Sequence, residues 1–267
     1  MRPLDLIDAY FIKKPVFRRW LTRLLEGDRE RDVEVLGARL RVHPVKEHGY
    51  LRASRLIGRS SLLRDEAPVL INLAAALREG DTFVDIGANV GVFSLVIARL
   101  CGLLPGLRVY AFEANPDTFR RLRARAAEAG VVATHCAVSD HPGKLEFVGG
   151  AVSHVFTTRE NTSAYSIPRE TVEVPCRRLD EFPITGDSLF LKIDVEGQEM
   201  EVLEGARAFF DAGRVRAVYL DGYKDPAIAG FLTRRGFELF DGRTLEPAGG
   251  HIFSLLAIRR PAGKGVA

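Results

Sequence analysis

The stretch Thr82-Phe83-Val84-Asp85-Ile86-Gly87-Ala88-Asn89-Val90-Gly91-Val92-Phe93-Ser94-Leu95 decides the fold. Thr82 to Ile86 is a short apolar run interrupted by one acid, the pattern of a strand buried on both faces. Two glycines then bracket a turn, and Val92 to about Leu100 carries the periodicity of a helix. The same rhythm repeats down the chain. Strands are expected at Arg108–Phe112, Val131–Val138, Leu189–Ile193 and Val215–Leu220, with a closing pair at Phe237–Phe240 and Ile252–Ile258. Helices are expected at Pro116–Ala129, Glu199–Phe210 and Ala227–Arg235, the first opened by Pro116 in its first turn. Strands alternating with helices predict parallel pairing and an open, doubly wound α/β sheet. Lys144 to Asp180 breaks the rhythm with two alternating segments, Lys144–Val148 and Thr171–Arg177, joined by a Ser- and Thr-rich loop, and reads as an insertion over the sheet edge. Ahead of the first strand, Val33–Val42 also has strand-like alternation.

Composition bounds the remaining possibilities. The chain has 267 residues, 46% hydrophobic and 27% charged, as a globular chain with a sizeable core should be. Its longest candidate apolar run, Val90–Ala98, is closed by Arg99 and is too short for a membrane span. Met1 to Trp20 has no uninterrupted apolar stretch of the kind that marks a secretory signal. Cys101, Cys136 and Cys176 are odd in number and widely spaced, which argues against a disulfide framework or a structural zinc site and suits the cytoplasm. The net charge of +3 is too small to predict a nucleic-acid partner. Residues 1–25 nevertheless hold Arg2, Lys13, Lys14, Arg18, Arg19 and Arg23 against Asp5 and Asp8, a surplus of four positive charges. With Phe17, Trp20, Leu21 and Leu24 interleaved, this is the pattern of a basic amphipathic helix. Trp20 and Phe17 have the spacing of core anchors, so packing on the body of the chain or on a second subunit of a homodimer is expected ahead of peripheral contact with a membrane.

In an open α/β sheet, ligands bind beyond the carboxyl ends of the strands. The loop Asp85–Gly91 sits at the first such exit. Its spacing is G-x-x-x-G rather than the dinucleotide G-x-G-x-x-G, and it carries an inward acid, Asp85. An anion there opposes phosphate and suits a ligand bearing an ammonium and a sulfonium. The next exit ends in Glu113, whose carboxylate can accept both hydroxyls of a ribose, flanked by Phe112 and the Asn115-Pro116 turn. The separation of Gly87 and Glu113 fits one strand–helix–strand unit.

Together with Phe190-Leu191-Lys192-Ile193-Asp194-Val195-Glu196-Gly197-Gln198-Glu199, these residues resemble the FkbM family of methyltransferases. The resemblance runs from about Glu66 to Ile258. It rests on K-I-D-V-E-G-x-E at Lys192–Glu199, D-I-G-A-N-x-G at Asp85–Gly91 and the turn at Phe112–Pro116. Ala137-Val138-Ser139-Asp140 and Leu179–Phe182 add to it. Ala114 stands where the family usually has proline, and Asp221 where it commonly has glutamate.

The resemblance implies an α/β Rossmann-like class I methyltransferase fold. Its sheet is mostly parallel and doubly wound, with an antiparallel closing strand and an N-terminal extension. The implied organisation is an extension at 1–65, a methyltransferase domain at 66–260 with an insertion at about 144–180, and a tail at 261–267. It implies S-adenosylmethionine as methyl donor and O-methylation of a hydroxyl on a sugar, glycan or natural-product small molecule. By motif position, Asp85, Gly87, Ala88, Asn89 and Gly91 would cradle the methionine end and Glu66 would approach it. Glu113 and Asn115 would lie at the ribose, and Val138 with Asp140 at the adenine.

Transfer to oxygen requires alignment of donor and acceptor and removal of the hydroxyl proton. Lys192, Asp194 and Glu196 alternate and so project to one side of the strand exit. Asp194 is the first candidate for orienting or deprotonating the acceptor, and Lys192 for lowering the acceptor's pKa or pairing with its acidic neighbours. The alternative is a buried ion network that holds the strand exit. His154, in the insertion, is a second candidate base; His135, inside a strand, reads as a core residue. Asp194 and Asp221 alone do not make a metal site. A nicotinamide dehydrogenase is disfavoured by the loop spacing and the lack of a Tyr-x-x-x-Lys pair. A base methyltransferase is disfavoured because no N-P-P-Y or D-P-P-Y follows the fourth strand. A non-catalytic S-adenosylmethionine-binding module remains as the alternative of a different class.

Overall fold

The computed structural model describes residues 15–55, 61–149, 156–158, 170–223, 225–250 and 252–260. His154 and the tail at 261–267 lie outside them, as do residues 1–14. The central sheet is built from β3 (Asp81–Ile86), β4 (Arg108–Glu113), β5 (Val131–His135), β10 (Ser188–Ile193), β11 (Val215–Asp221), β12 (Phe237–Asp241) and β13 (Ser254–Arg259). Their order across the sheet is β12-β13-β11-β10-β3-β4-β5. The run from β5 to β11 pairs in parallel, and β13 is antiparallel to both β11 and β12. This is the expected Rossmann-like, doubly wound sheet with an antiparallel closing strand.

Residue alternation along each strand divides the core between two faces. Phe83, Phe190, Ala217, Tyr219 and Leu256 face one side, which α4 (Val92–Cys101) and α5 (Pro116–Ala126) cover. Val84, Leu191, Val218, Leu220 and Ala257 face the other, against α6 (Glu199–Gly205), α7 (Arg207–Asp211) and α8 (Ala227–Thr233). The single helix expected at Glu199–Phe210 is split between α6 and α7. Gly205 lies so close to the Ser139 carbonyl that a Cβ would sit 2.1 Å from its oxygen, and the chain bends immediately after it. No helix among the described residues is long and apolar enough to cross a membrane.

The third strand ends earlier than its apolar pattern predicts. After His135 the chain leaves the central sheet, and β6 (Ala137–Val138) pairs in parallel with β9 (Glu170–Arg177). With β7 (Gly143–Gly149) and β8 (Phe156–Thr158) these form a second, four-stranded sheet in the order β6-β9-β7-β8. The two alternating segments of the insertion are thus the antiparallel partners β7 and β9, registered Leu145 to Val174 and Phe147 to Val172.

The N-terminal part shares the core of the first face. Val33–Val42 is a hairpin rather than one strand: β1 (Arg31–Val35) and β2 (Ala38–Val42) turn on Leu36 and Gly37, both at positive φ, as a two-residue primed turn requires. Val35, Leu40 and Val42 are buried with Leu70 and Leu73 of α3 (Ser61–Ala76). Charge fixes the hairpin to α5. Arg121, 1% exposed, donates to the fully buried Glu47 at 2.8 Å and pairs with Glu30 at 3.3 Å. Arg125 pairs with Asp32, and Lys46 reaches Asp117 at 2.6 Å. Glu47 also accepts the His43 N–H just ahead of α2 (His48–Ala53).

One partner of a buried ion pair is costly to remove alone, since the other charge is left in low dielectric. Glu47→Ala is expected to lower unfolding stability by about 3 kcal/mol, measured by urea denaturation. The double variant Glu47→Leu with Arg121→Met should recover most of that loss.

Candidate functional site

The exits of three neighbouring strands are tied together at Gly87. Its N–H and that of Ala88 both donate to the Phe112 carbonyl of β4, each at 3.0 Å. On the other side the Asp194 N–H donates to the Ile86 carbonyl at 3.0 Å. Gly87 takes φ +74°, and a Cβ there would stand 1.9 Å from the Asp194 carbonyl oxygen. Only glycine allows the two backbones this approach. Asn89 also adopts positive φ, at +54°, and Gly91, at +92°, begins α4 without a side chain to cap it.

Asp85 supplies the missing cap from inside the sheet. It is fully buried, and one carboxylate oxygen accepts both the N–H and the hydroxyl of Ser94 in the first turn of α4. Its other oxygen lies 2.9 Å from the Lys192 ammonium, directly across the β3–β10 register. Lys192 is 2% exposed and has three acceptors around it: Asp85, the Gly87 carbonyl at 3.0 Å and Asp194 at 3.4 Å. Its ammonium also lies 5.1 Å from the centre of the Phe93 ring. Burial opposes its charge, but Asp85 and Asp194 outweigh burial, so its pKa is raised. Lys192, Asp194 and Asp85 are therefore brought together, and the ammonium is enclosed by the chain's own acceptors.

Asp194 turns the opposite way, with 42% of its side chain open to a cleft. The surrounding protein pushes its carboxyl up, with Lys192 opposing and Asp221, Asp85 and Glu196 adding to the rise. Glu66, on α3, is pushed up to about 8 by burial and by the charges of Asp194 and Asp221. Asp221 ends β11 and accepts the Tyr219 hydroxyl at 3.2 Å. One enclosed cation thus lies among the acidic side chains of Asp85, Asp194, Asp221 and Glu66. Among the described residues, no group of three or more His, Cys, Asp or Glu side chains is placed to hold a metal.

The cleft encloses about 780 Å³, its open mouth included, and begins at this junction. Gly87, Asn89, Glu113, Val138, Asp194 and Glu196 line it. Glu113, buried, accepts the Asn89 N–H on one oxygen and the Asn115 N–H on the other, each at 2.7 Å. Burial pushes its carboxyl up to about 7 against the pull of those two N–H groups. The Asn89 side-chain oxygen is buried in the cleft wall with no hydrogen-bond partner among the described residues. An orphaned acceptor beside a carboxylate fits a ligand rich in donors.

Other expected site residues stand elsewhere. Asn115 caps α5, accepting the N–H groups of Asp117 and Thr118. Asp140 is exposed, bonded to His141 at 2.6 Å, and does not line the cleft. Ala88 and Gly91 shape the loop, the Gly91 N–H donating to Ala88 at 2.8 Å, and neither lines the cleft. His135 stacks on Phe119 and contacts the Ala114 carbonyl at 3.0 Å, so it serves packing as expected.

The family model for the methyltransferase FkbM domain matches residues 85–239, more than half of the chain. The chain belongs to the FkbM methyltransferase family. The hexuronic acid methyltransferase AglP of Haloferax volcanii is 30% identical over 148 residues, 54% of this chain and 57% of that protein. The present chain therefore spans little more than half the length of that relative. The 31-O-demethyl-FK506 methyltransferase FkbM of Streptomyces tacrolimicus is 31% identical over 223 residues, 70% of this chain and 84% of that one. A solved structure, methyltransferase FkbM from Methylobacillus flagellatus KT, is 13% identical over 78% of this chain and 65% of its own, with a TM-score of 0.45.

Sequence reasoning missed part of the cleft of this FkbM domain. Leu145 and Phe147 of β7, with Cys136 and Ala137, add an apolar wall opposite the loop. The alternation of Lys144–Val148 was the available signal, but nothing in it says that its apolar face turns to the cleft. In the K-I-D-V-E-G-x-E signature, two residues serve the backbone: Gly197 turns at φ +81°, and its N–H donates to Glu199 at 2.8 Å.

Gly87→Ala tests the junction. The clash with the Asp194 carbonyl and the left-handed backbone together should cost about 3 kcal/mol or more. Gly80→Ala, at φ +77° with nothing near its Cβ position, should cost only about 1–2 kcal/mol. Paired denaturation curves of the two variants check the difference.

Proposed function

We propose that the protein is an S-adenosylmethionine-dependent O-methyltransferase acting on a hydroxyl of a sugar, glycan or natural-product small molecule. The observation that carries this reading is Asp194, a raised carboxyl that opens into the cleft while its backbone is fixed to the loop of an FkbM domain. The activities named for the relatives, on a hexuronic acid and on a demethylated FK506, support hydroxylated acceptors of this class.

S-adenosylmethionine, when bound, supplies a methyl group on a positively charged sulfur. The residues present fit such a ligand. Glu113 keeps free lone pairs beyond its two N–H partners and receives ribose hydroxyls. The orphaned Asn89 oxygen accepts a further donor, and the excess of carboxylates around Lys192 favours a cationic methionine end. Asp85 holds the loop from behind, Glu66 approaches the methionine end as a carboxyl able to hydrogen-bond, and Val138 with Phe147 gives the base an apolar surface. Asp194 orients the acceptor hydroxyl and takes up its proton. Lys192 acts through Asp194 and the Gly87 carbonyl as a positioning residue. Glu196 lines the acceptor side of the cleft, and His154 is a second candidate base from the insertion.

The test is S-adenosylhomocysteine formation with a panel of hexuronic acids, neutral sugars and hydroxylated macrolides. Asp194→Asn should lower kcat by about 10²–10⁴-fold while S-adenosylhomocysteine still binds. Full turnover in that variant would remove Asp194 from the chemistry. Because the Asp194 carboxyl is raised to about 6, the wild-type kcat should climb as pH rises through that value and then level.

Glu113 gives a separate pH signature. Its folded pKa, about 7, lies above the ordinary carboxyl value, and hydroxyl donors favour its ionised form. Binding must therefore expel a proton at pH below about 7, so affinity for S-adenosylhomocysteine should rise toward pH 7 and plateau above it. Glu113→Gln should weaken binding and flatten that rise, as titration calorimetry at several pH values would show.

A further inference from the structure

Among its described side chains, the N-terminal helix turns apolar residues toward the outside. In α1 (Pro15–Glu26) an ordinary amphipathic helix would turn its apolar stripe inward. Here Thr22 is buried and Leu21 is half-buried, while Trp20, Leu24 and Leu25 are 55%, 64% and 40% exposed. Trp20 is thus not the core anchor that its spacing predicts. The polar side makes the attachment: Glu26, at the end of α1, holds Arg31 and Arg55, each at 2.9 Å. Glu26 thus ties the helix to the body through charge, while Trp20, Leu24 and Leu25 keep much of their surface exposed.

We infer that α1 is an interfacial helix that docks the protein on an anionic lipid surface. Trp20 and Leu24 stand one turn apart, and Arg19 and Arg23 run beside them at the same spacing. Arg23 pairs with Asp28 at 3.0 Å, but both are exposed, so that pair is weak and can exchange for a phosphate. The first 25 residues hold the chain's surplus of positive charge, and the remainder is close to neutral. An indole and leucines between arginines match the depth profile of a membrane interface, with apolar groups among the acyl chains and cations at the headgroups. A second copy of the chain fits less well. It would oppose two like-charged segments, and three exposed apolar side chains fall far short of the roughly 800 Å² per partner that a stable dimer buries.

Trp20 is the chain's only tryptophan, so its emission reports this helix alone. The full chain is mixed with vesicles of phosphatidylcholine, with or without phosphatidylglycerol, and followed by tryptophan emission and co-sedimentation. Anionic vesicles should shift the emission to the blue and sediment the protein, and salt should reverse both. Leu24→Glu, which keeps the reporter and alters an exposed site, should weaken partitioning by about tenfold or more. Arg19→Glu should weaken it on anionic vesicles and leave the fold intact. The inference is overturned if anionic vesicles leave emission and sedimentation unchanged, or if Leu24→Glu partitions like the wild type. It is also overturned if the blue shift appears without lipid, as concentration and molecular mass rise together, which would assign the ridge to a second copy.

Discussion

The contact between Lys192 and Asp85 organises the rest of the site. Two charges at the centre of the sheet are tolerable only if every lone pair and proton finds a partner. Here the two charges face each other at 2.9 Å, and each has further polar neighbours. Asp85 takes Lys192 on one oxygen and the first turn of α4 on the other. Lys192 has Asp85, the Gly87 carbonyl and Asp194 around its ammonium. One ion pair therefore fixes the start of a helix, the carbonyl of the ligand loop and the side chain that faces the cleft. The same arrangement decides what each member can do. An enclosed ammonium positions its neighbours, whereas Asp194, held by it and still open to the cleft, can meet a substrate.

Two further constraints turn this pair into a rigid junction. Gly87 lets the exits of β3 and β10 approach closely, and Glu113 grips the loop at Asn89 and the next turn at Asn115. The three central strand exits are thus locked to one another before any ligand arrives. Preorganisation of this kind spares binding the cost of ordering the loop. It also explains why a carboxyl as buried as Glu113 is retained: the two N–H groups it satisfies would otherwise be orphaned in the cleft wall.

Much of this was legible in the sequence, because its signals are local. The alternation of apolar runs with helical periods gave the sheet, and the acids ending two strands marked the ligand side. What was hidden depends on contacts between distant segments. The apolar pattern of Val131–Val138 is continuous, yet the chain changes sheets at Cys136, since periodicity says which side chains are buried and not against which partner. Val33–Val42 showed strand-like alternation, and the turn inside it went unmarked because Leu36 is an unusual residue for a primed turn. Asn115, expected at the ribose by motif, also caps a helix, as an asparagine before proline and aspartate can. Asp140, attractive by motif, turns outward to His141.

The N-terminal segment shows the same lesson in reverse. Its charges and apolar residues were plain in the sequence, and a buried helix was the economical reading. Burial, however, needs a complementary surface, and the hairpin β1–β2 already occupies the one beside α5. It fills that place with Leu40 and Val42 inside and a belt of ion pairs from Glu30 to Asp117 outside. With that surface taken, Glu26 ties α1 to Arg31 and Arg55 of the body, and Trp20, Leu24 and Leu25 keep exposed surface.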